Sequence, residues 1–224
     1  MKEKKNRFNL TAQEKEELDQ MREKMIKRQK EEPAKLSEHL QAFNDAVIAI
    51  IMTVIVLEIK PPVNEVHYEK FLADIVVFLI TFFIIGDFWY DLHISFSYFV
   101  RKPTKITVIL DMLFLVDLAL FPVMTEWIMK EHSTFAMINY GVVSLIAQLL
   151  KIAVEYFGSK SEFKDSLVMS IVLMRHSAWR VISIIIINIF LIILSFYKPN
   201  IAMILYLMIP LVSLIAPTRN RGVR

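Results

Sequence analysis

Several ionisable side chains fall inside apolar segments of this 224-residue chain, where a charged group is costly and needs a partner or a chemical role, and five of them form one group. Each lies near one end of its segment, so we expect them to share one depth in a membrane: Asp45, Asp87, Asp91, His93 and Asp111. We interpret the group as a hydrogen-bonded network that fixes helix packing. A proton or substrate site built from the same groups is the alternative.

Asp117 is buried deeper in its apolar segment, and Asn188 is its one candidate partner. Catalytic patterns are missing from the sequence: the five His are scattered without metal-ligand spacing, and no Ser has a nucleophile-elbow context. The absence of Cys excludes disulfides, thiolate metal sites and cysteine nucleophiles. We therefore predict neither an enzyme nor a cofactor or metal.

The elements that hold these residues are predicted to be membrane-spanning helices. Hydrophobic residues make up 55% of the chain and the mean hydropathy is +0.47, too apolar for an ordinary soluble domain. A spanning helix needs about 20 mainly apolar residues. Six runs qualify, although the last is short: about 40–59, 71–97, 106–129, 135–157, 177–197 and 201–216. Lys198-Pro199-Asn200 joins the last two as a tight hairpin.

The distribution of charge gives an orientation to these six spans. With both termini cytoplasmic, 22 of the 26 Lys and Arg fall on the inner side, as the positive-inside rule requires. Residues 167–174 could form a seventh span, but this would place the basic tail outside, so we interpret them as interfacial. The net charge of +3 therefore indicates no nucleic-acid partner. The predicted fold is an all-α integral membrane protein with six transmembrane helices per subunit, preceded by a charged cytoplasmic helix.

Residues 1–38 form the charged segment, which we separate from a membrane domain at 39–216 and a basic tail at 217–224. Thr11 and Glu14 have capping-box spacing, and Leu18, Met21 and Met25 recur at helical spacing. We predict a helix that ends near Pro33. Its thin apolar stripe could pair with copies of itself or pack weakly on the membrane domain. The first apolar run begins only near residue 40, which excludes a secretory signal peptide.

The first spanning helix carries one apolar stripe. At about 100° per residue, Thr53 lies about 60° from Ile50, on the edge of the stripe, whereas Asp45 points about 140° away from Ile50. The stripe and the carboxylate therefore face different neighbours, so that one face could line a space while the other is tied into the bundle. The stripe consists of Phe43, Val47, Ile50, Val54 and Leu57.

These residues resemble the lysosomal potassium channels of animals and their shorter bacterial relatives, in which each subunit has one six-helix repeat. That family carries Arg-x-x-x-Phe-Ser-Asp in its first helix, and this chain has His39-x-x-x-Phe43-Asn44-Asp45 at the same spacing. The resemblance covers residues 39–216. It continues through four further features: Trp89, His93, Phe121-Pro122 and Tyr206-Leu-Met-Ile-Pro210.

The resemblance implies a potassium-selective cation channel, a homotetramer in the lipid bilayer of a cell membrane, with one central pore lined by the first helix. Ile50, Val54 and Leu57 would form apolar constrictions, and Thr53 would offer a ring of hydroxyls to potassium ions. Because the chain has no Thr-Val-Gly-Tyr-Gly segment, a carbonyl-lined filter is excluded. The multi-pass topology fits a prokaryotic plasma membrane. A set of residues would hold the first helix in place: Asn44, Asp45, Trp89, His93 and Asp111.

Two departures from the family pattern bear on this network. His39 stands where the family has Arg, and Asn44 where it has Ser. Because His titrates near neutral pH and Arg does not, we predict a network that is looser or responds to pH. Four copies of Glu58 would also concentrate cations at the outer mouth.

Three other function classes compete with a channel. A proton-coupled or secondary transporter would use the intramembrane carboxylates, but the sequence has no visible inverted repeat and no span broken by Gly. An intramembrane enzyme would use Asp87, Asp91 and His93. A purely structural scaffold is the third class.

Overall fold

The structure, a computed structural model, is α-helical and describes residues 11–62, 68–131, 133–162, 182–183, 185–199 and 201–206. Its helices are α1 (Ala12–Val56), α2 (Tyr68–Tyr98), α3 (Lys105–Leu118), α4 (Phe121–Glu131), α5 (Thr134–Glu162) and α6 (Ile185–Tyr197). Residues 201–206 are also helical.

Four helical stretches within the described residues are long and apolar enough to cross a membrane: Glu31–Val56, Tyr68–Tyr98, Lys105–Glu131 and Thr134–Lys160. They overlap the first four predicted spans. The predicted fifth span contains α6, and the predicted sixth begins at residues 201–206. The rest of both spans, residues 167–174 and the basic tail at 217–224 lie outside the described residues, so a total of six spans stays a prediction.

The charged N-terminal helix starts as predicted. Thr11 Oγ1 accepts from the Glu14 backbone N–H, and Glu14 Oε2 accepts from the Thr11 backbone N–H over 2.7 Å, which confirms the capping box. The predicted helix end near Pro33 is wrong, because α1 runs through Pro33 into the first span. Pro33 costs one backbone hydrogen bond. At this half-exposed position water can satisfy the freed carbonyl.

The third span is interrupted, although we predicted one continuous helix over 106–129. α3 ends at Leu118 and α4 begins at Phe121, with the Leu120 N–H donating to the Asp117 carbonyl over 3.0 Å in the turn between them. Pro122 explains the break, because it has no N–H to donate to the carbonyl of Leu118 and fits the first turn of a new helix.

The core lies between α1, α2, α3, α4 and α5, and aromatic rings tie these helices together. Phe121 is fully buried and packs edge-on against Tyr140 of α5, with ring centroids 5.4 Å apart. Tyr140 in turn meets Tyr206 at 5.9 Å. Since offset and edge-on aromatic pairs are favourable, this row of rings holds residues 201–206 against α5.

Candidate functional site on the first spanning helix

The spanning part of α1 has two distinct faces. One is packed into the subunit and consists of Leu40, Asn44, Ile48, Ile51 and Ile55. The other, which we name the open stripe, is exposed and consists of Phe43, Ile50, Thr53, Val54 and Leu57. The contrast is large, since Ile50 is 62% exposed whereas Ile48 is fully buried. Val47 was predicted in the stripe, but it is only partly exposed and packs against the core.

The open stripe contains one hydroxyl. Thr53 Oγ1 donates to the Ile50 carbonyl over 2.8 Å, one turn earlier in α1. Because this bond uses the hydroxyl hydrogen, the lone pairs of Oγ1 remain available as acceptors. An oxygen that presents lone pairs on an exposed, otherwise apolar face can contact a passing cation.

Two consecutive residues next to the open stripe bind two different helices. Asn44 Nδ2 donates to Asp111 Oδ1 of α3 over 3.0 Å, and both side chains are buried. Trp89 Nε1 of α2 donates to Asp45 Oδ1 over 2.8 Å. The structure therefore brings together four of the residues that the sequence grouped, and their bonds fix the rotation of α1 about its own axis.

His93 joins this network through Gln41, which the sequence analysis did not single out. Gln41 Nε2 lies 2.9 Å from His93 Nδ1 and 3.2 Å from Ser97 Oγ, while His93 Nδ1 lies 4.0 Å from Asp45 Oδ1. A signal for Gln41 was present, because it lies four residues before Asp45 and so faces the same side of a helix.

His39 lies apart from the network. Its side chain is exposed and makes no hydrogen bond or ion pair within the part of the chain that the structure describes. The cause is its direction, about 140° from Asn44 around α1. Phe43 likewise points away from the network, into the open stripe, with 46% of its surface exposed. The proposed pH response through His39 stays a prediction.

Asp91, predicted in the same group, belongs to a second cluster between α2 and α5. Its carboxylate pairs with Lys151 Nζ, and Lys151 is only 6% exposed. One turn further, Ser95 Oγ donates to Glu155 Oε1 over 2.9 Å. Lys151 is one of the 22 Lys and Arg that the predicted topology assigns to the inner side, and it lies within α5 as the buried partner of Asp91. Asp87 is half-buried on α2.

Asp117 is 6% exposed on α3, and its Oδ2 has no hydrogen-bond partner among the described residues. The predicted partner Asn188 instead donates to Ser144 of α5 over 3.3 Å. Asp117 is thus a buried carboxyl with one oxygen open to a further donor.

The end of α1 opens into a cleft of about 200 Å³ that contains charges of both signs. Three acidic residues line this cleft: Glu58, Asp74 and Glu126. Its basic lining residues are Lys60, Lys70 and Lys130. Since acids and lysines are balanced there, the field of Glu58 is partly offset. Among the described residues, no group of three or more His, Asp or Glu side chains could hold a metal ion.

The chain is similar in sequence to known proteins. Residues 39–122 match the family described as the endosomal/lysosomal potassium channel TMEM175. A relative from Chryseobacterium sp. strain P1-3, named a potassium channel, is 29% identical over 188 residues, covering 80% of this chain and 93% of the relative. No solved structure matches the chain. The matched segment begins at His39 and contains the open stripe and the whole network from Gln41 to Asp111, so the similarity to that family covers the part of the chain that carries the candidate site.

Proposed function

We propose that this chain is the subunit of a potassium-selective cation channel whose pore runs along the open stripe of α1. The observation that carries the proposal is the pairing of an exposed apolar stripe with a polar network on the adjacent face of the same helix. The network holds α1 against α2 and α3, and the stripe is left free to line a shared space. The family description and the name of the bacterial relative support potassium as the permeant ion.

The pore requires several copies of the chain, because one helix cannot enclose a path for ions. We propose a homotetramer with α1 innermost, by analogy with the family resemblance. Ile50, Val54 and Leu57 would then form three apolar rings, spaced by about one helical turn each. Thr53 would add a ring of hydroxyl oxygens between them.

Selectivity in such a pore would come from partial dehydration. The sequence has no carbonyl filter segment, so an ion passes apolar rings that cannot replace its water shell. Potassium holds its water less tightly than sodium does, and removing part of the shell therefore costs potassium less. The Thr53 oxygens, with their hydrogens donated to Ile50, would offset part of that cost.

The remaining features of the proposal follow from the sequence. The subunit has six spans with both termini in the cytoplasm of a prokaryotic cell, and it resides in the plasma membrane. The charged segment 1–38 and the tail 217–224 flank the channel domain, 39–216. Glu58 faces the outer mouth, where the lysines in the same cleft reduce its effect on cations.

A thiol-accessibility experiment tests the pore assignment, and the chain suits it because it contains no Cys. The purified Thr53→Cys variant in liposomes should lose potassium flux after treatment with a charged thiol reagent. Val116→Cys is the matched control, because Val116 is exposed on α3, which the proposal does not place at the pore. Unchanged flux in Thr53→Cys, or equal block in both variants, would overturn the pore assignment.

A carrier that uses an intramembrane carboxylate is the second candidate, favoured by the open oxygen of buried Asp117. A carrier saturates with substrate and moves ions far more slowly than a channel. Asp117→Asn keeps the size of the side chain and removes its proton exchange, so it should abolish coupled transport but leave channel flux in place. Potassium flux in proteoliposomes with and without a pH gradient separates the two.

A further inference from the structure

The part of α1 that precedes the predicted first span, about 40–59, carries its own exposed apolar residues. We call residues 12–36 the N-terminal extension, which at 1.5 Å per residue is about 37 Å long. Leu18 and Leu36 are each 40% exposed, and Met21 and Met25 are each 61% exposed. Most other side chains of the extension are charged.

The apolar residues of the extension lie in phase with the open stripe. Leu18, Leu36 and Val54 are spaced by 18 residues, which is about five full turns of an α-helix, so their side chains point the same way. Met25 and Phe43 have the same spacing. Because α1 is a continuous helix from Ala12 to Val56, one face runs from the extension into the open stripe.

We infer that the extensions of neighbouring subunits pack against one another as a parallel helix bundle on the pore axis. This inference rests on the proposed function, since it places the open stripe around that axis. If the stripes of several copies face one axis, the in-phase residues of their extensions face the same axis. The occupant of the exposed apolar face is therefore a second copy of this chain.

The flanking charges fit a parallel arrangement. In the heptad that places Leu18 and Met21 at the two core positions, Glu17 and Arg22 border the core on opposite sides. Their separation of five residues is the spacing at which one helix of a parallel coiled coil pairs with its neighbour. Glu17 of one copy can thus meet Arg22 of the next.

The apolar seam is short, because Glu32 and its neighbours separate Met25 from Leu36 along the same face. Isolated extensions would therefore associate weakly. In the channel, however, each extension is tethered to its own pore helix, and tethering of this kind gives effective concentrations in the millimolar range. The membrane domain thus supplies the proximity that the short seam needs.

Disulfide cross-linking of the full-length protein in liposomes tests the inference. Met21→Cys places a thiol on the seam, and Glu23→Cys places one about 160° away on the same exposed helix. Under mild oxidation, Met21→Cys should form covalent dimers in severalfold greater yield than Glu23→Cys. Equal yields, or no dimers from Met21→Cys, would overturn the inference.

Potassium flux measured on the same liposomes keeps this inference separate from the proposed function. Flux without cross-linking at Met21→Cys would reject the bundle and leave the channel. Selective cross-linking at Met21→Cys without flux would support the bundle and reject the channel. Because residue 21 is exposed in the subunit, the cysteine should not disturb folding, and a single symmetric gel-filtration peak checks this.

Discussion

Trp89 of α2 donates its indole N–H to the carboxylate of Asp45 over 2.8 Å, and this bond fixes one side of α1. The preceding residue, Asn44, is bonded to Asp111 of α3. Adjacent residues of a helix point about 100° apart. With these two bonds in place, α1 cannot rotate about its axis without breaking one of them, and the open stripe keeps a fixed direction.

Trp89→Phe removes the indole donor and keeps an aromatic ring. Because about two-fifths of the Asp45 side chain is exposed, we expect a loss of about 1 kcal/mol in the free energy of unfolding. We also expect altered potassium currents, since α1 gains rotational freedom. Thermal unfolding in detergent and single-channel recording check the two effects.

Trp127→Phe is the matched control, because the Trp127 indole donates to Glu131 within its own helix, over the same 2.8 Å. It should change stability little and leave the currents unaltered. If both variants altered the currents equally, the interhelical bond would not be what orients α1.

The sequence predicted those parts of the site that depend on local pattern. The capping box at Thr11 and the division of α1 into two faces follow from helical spacing. The grouping of Asp45 with Asp111 follows from their shared predicted depth, and the family resemblance adds Trp89 to that group. Long-range pairing could not be predicted in the same way. Asp91 and Lys151 are 60 residues apart, and only the packing of α2 on α5 brings them together.

Two further predictions from the sequence differ from the structure for local reasons. A proline usually ends a helix, but Pro33 lies in the charged extension, where water can satisfy the carbonyl that loses its hydrogen bond. His39 occupies the motif position of an Arg, yet it lies outside the network. A motif gives spacing along the chain, whereas contact also depends on the direction in which the side chain points.

Lys151→Met should be strongly destabilising, because it removes the buried cation that pairs with the Asp91 carboxylate. Removing one member of a buried ion pair costs about 3 kcal/mol or more. Combining Lys151→Met with Asp91→Asn should recover part of that loss, since no uncompensated charge remains. Thermal unfolding of the single and double variants measures the coupling.

Lys130→Met is the control for that pair, because Lys130 pairs with Glu126 at an exposed site. Exposed ion pairs contribute little to stability. A Lys151→Met variant as stable as Lys130→Met would show that the pair between α2 and α5 carries no structural role.

Gly158→Ala should destabilise the protein by steric conflict. A Cβ at residue 158 would lie 2.6 and 2.8 Å from the two methyl carbons of Val100, which is fully buried. Forcing an extra carbon into a packed core costs about 1–3 kcal/mol. Adding Val100→Ala should restore part of the stability by making room. If the double variant unfolded at a lower temperature than Gly158→Ala alone, the conflict would lie elsewhere.

The start of α1 should loosen at acid pH. The backbone N–H and the hydroxyl of Thr11 bond to the Glu14 carboxylate and hold its pKa below the ordinary value. A depressed pKa in the folded state stabilises the helix start above the unfolded pKa, and that contribution is lost as the pH falls through the folded pKa. Hydrogen exchange of the amides at residues 12–17 measures this loss of stability at the start of α1.

Glu14→Gln is the control for this pH dependence, because an amide oxygen can still accept from the Thr11 N–H but does not titrate near that pH. In this variant the amides at residues 12–17 should keep the same protection from hydrogen exchange between mildly acid and neutral pH. Identical pH profiles in both proteins would rule out a contribution of the Glu14 charge to the helix start.

The central claim is that the open stripe of α1 lines a pore that prefers potassium. The most direct test is planar-bilayer recording of the purified protein with potassium on one side and sodium on the other. We predict currents whose reversal potential is shifted in the direction set by potassium permeation. A reversal potential at zero would contradict the selectivity, and the absence of any current would contradict the channel itself.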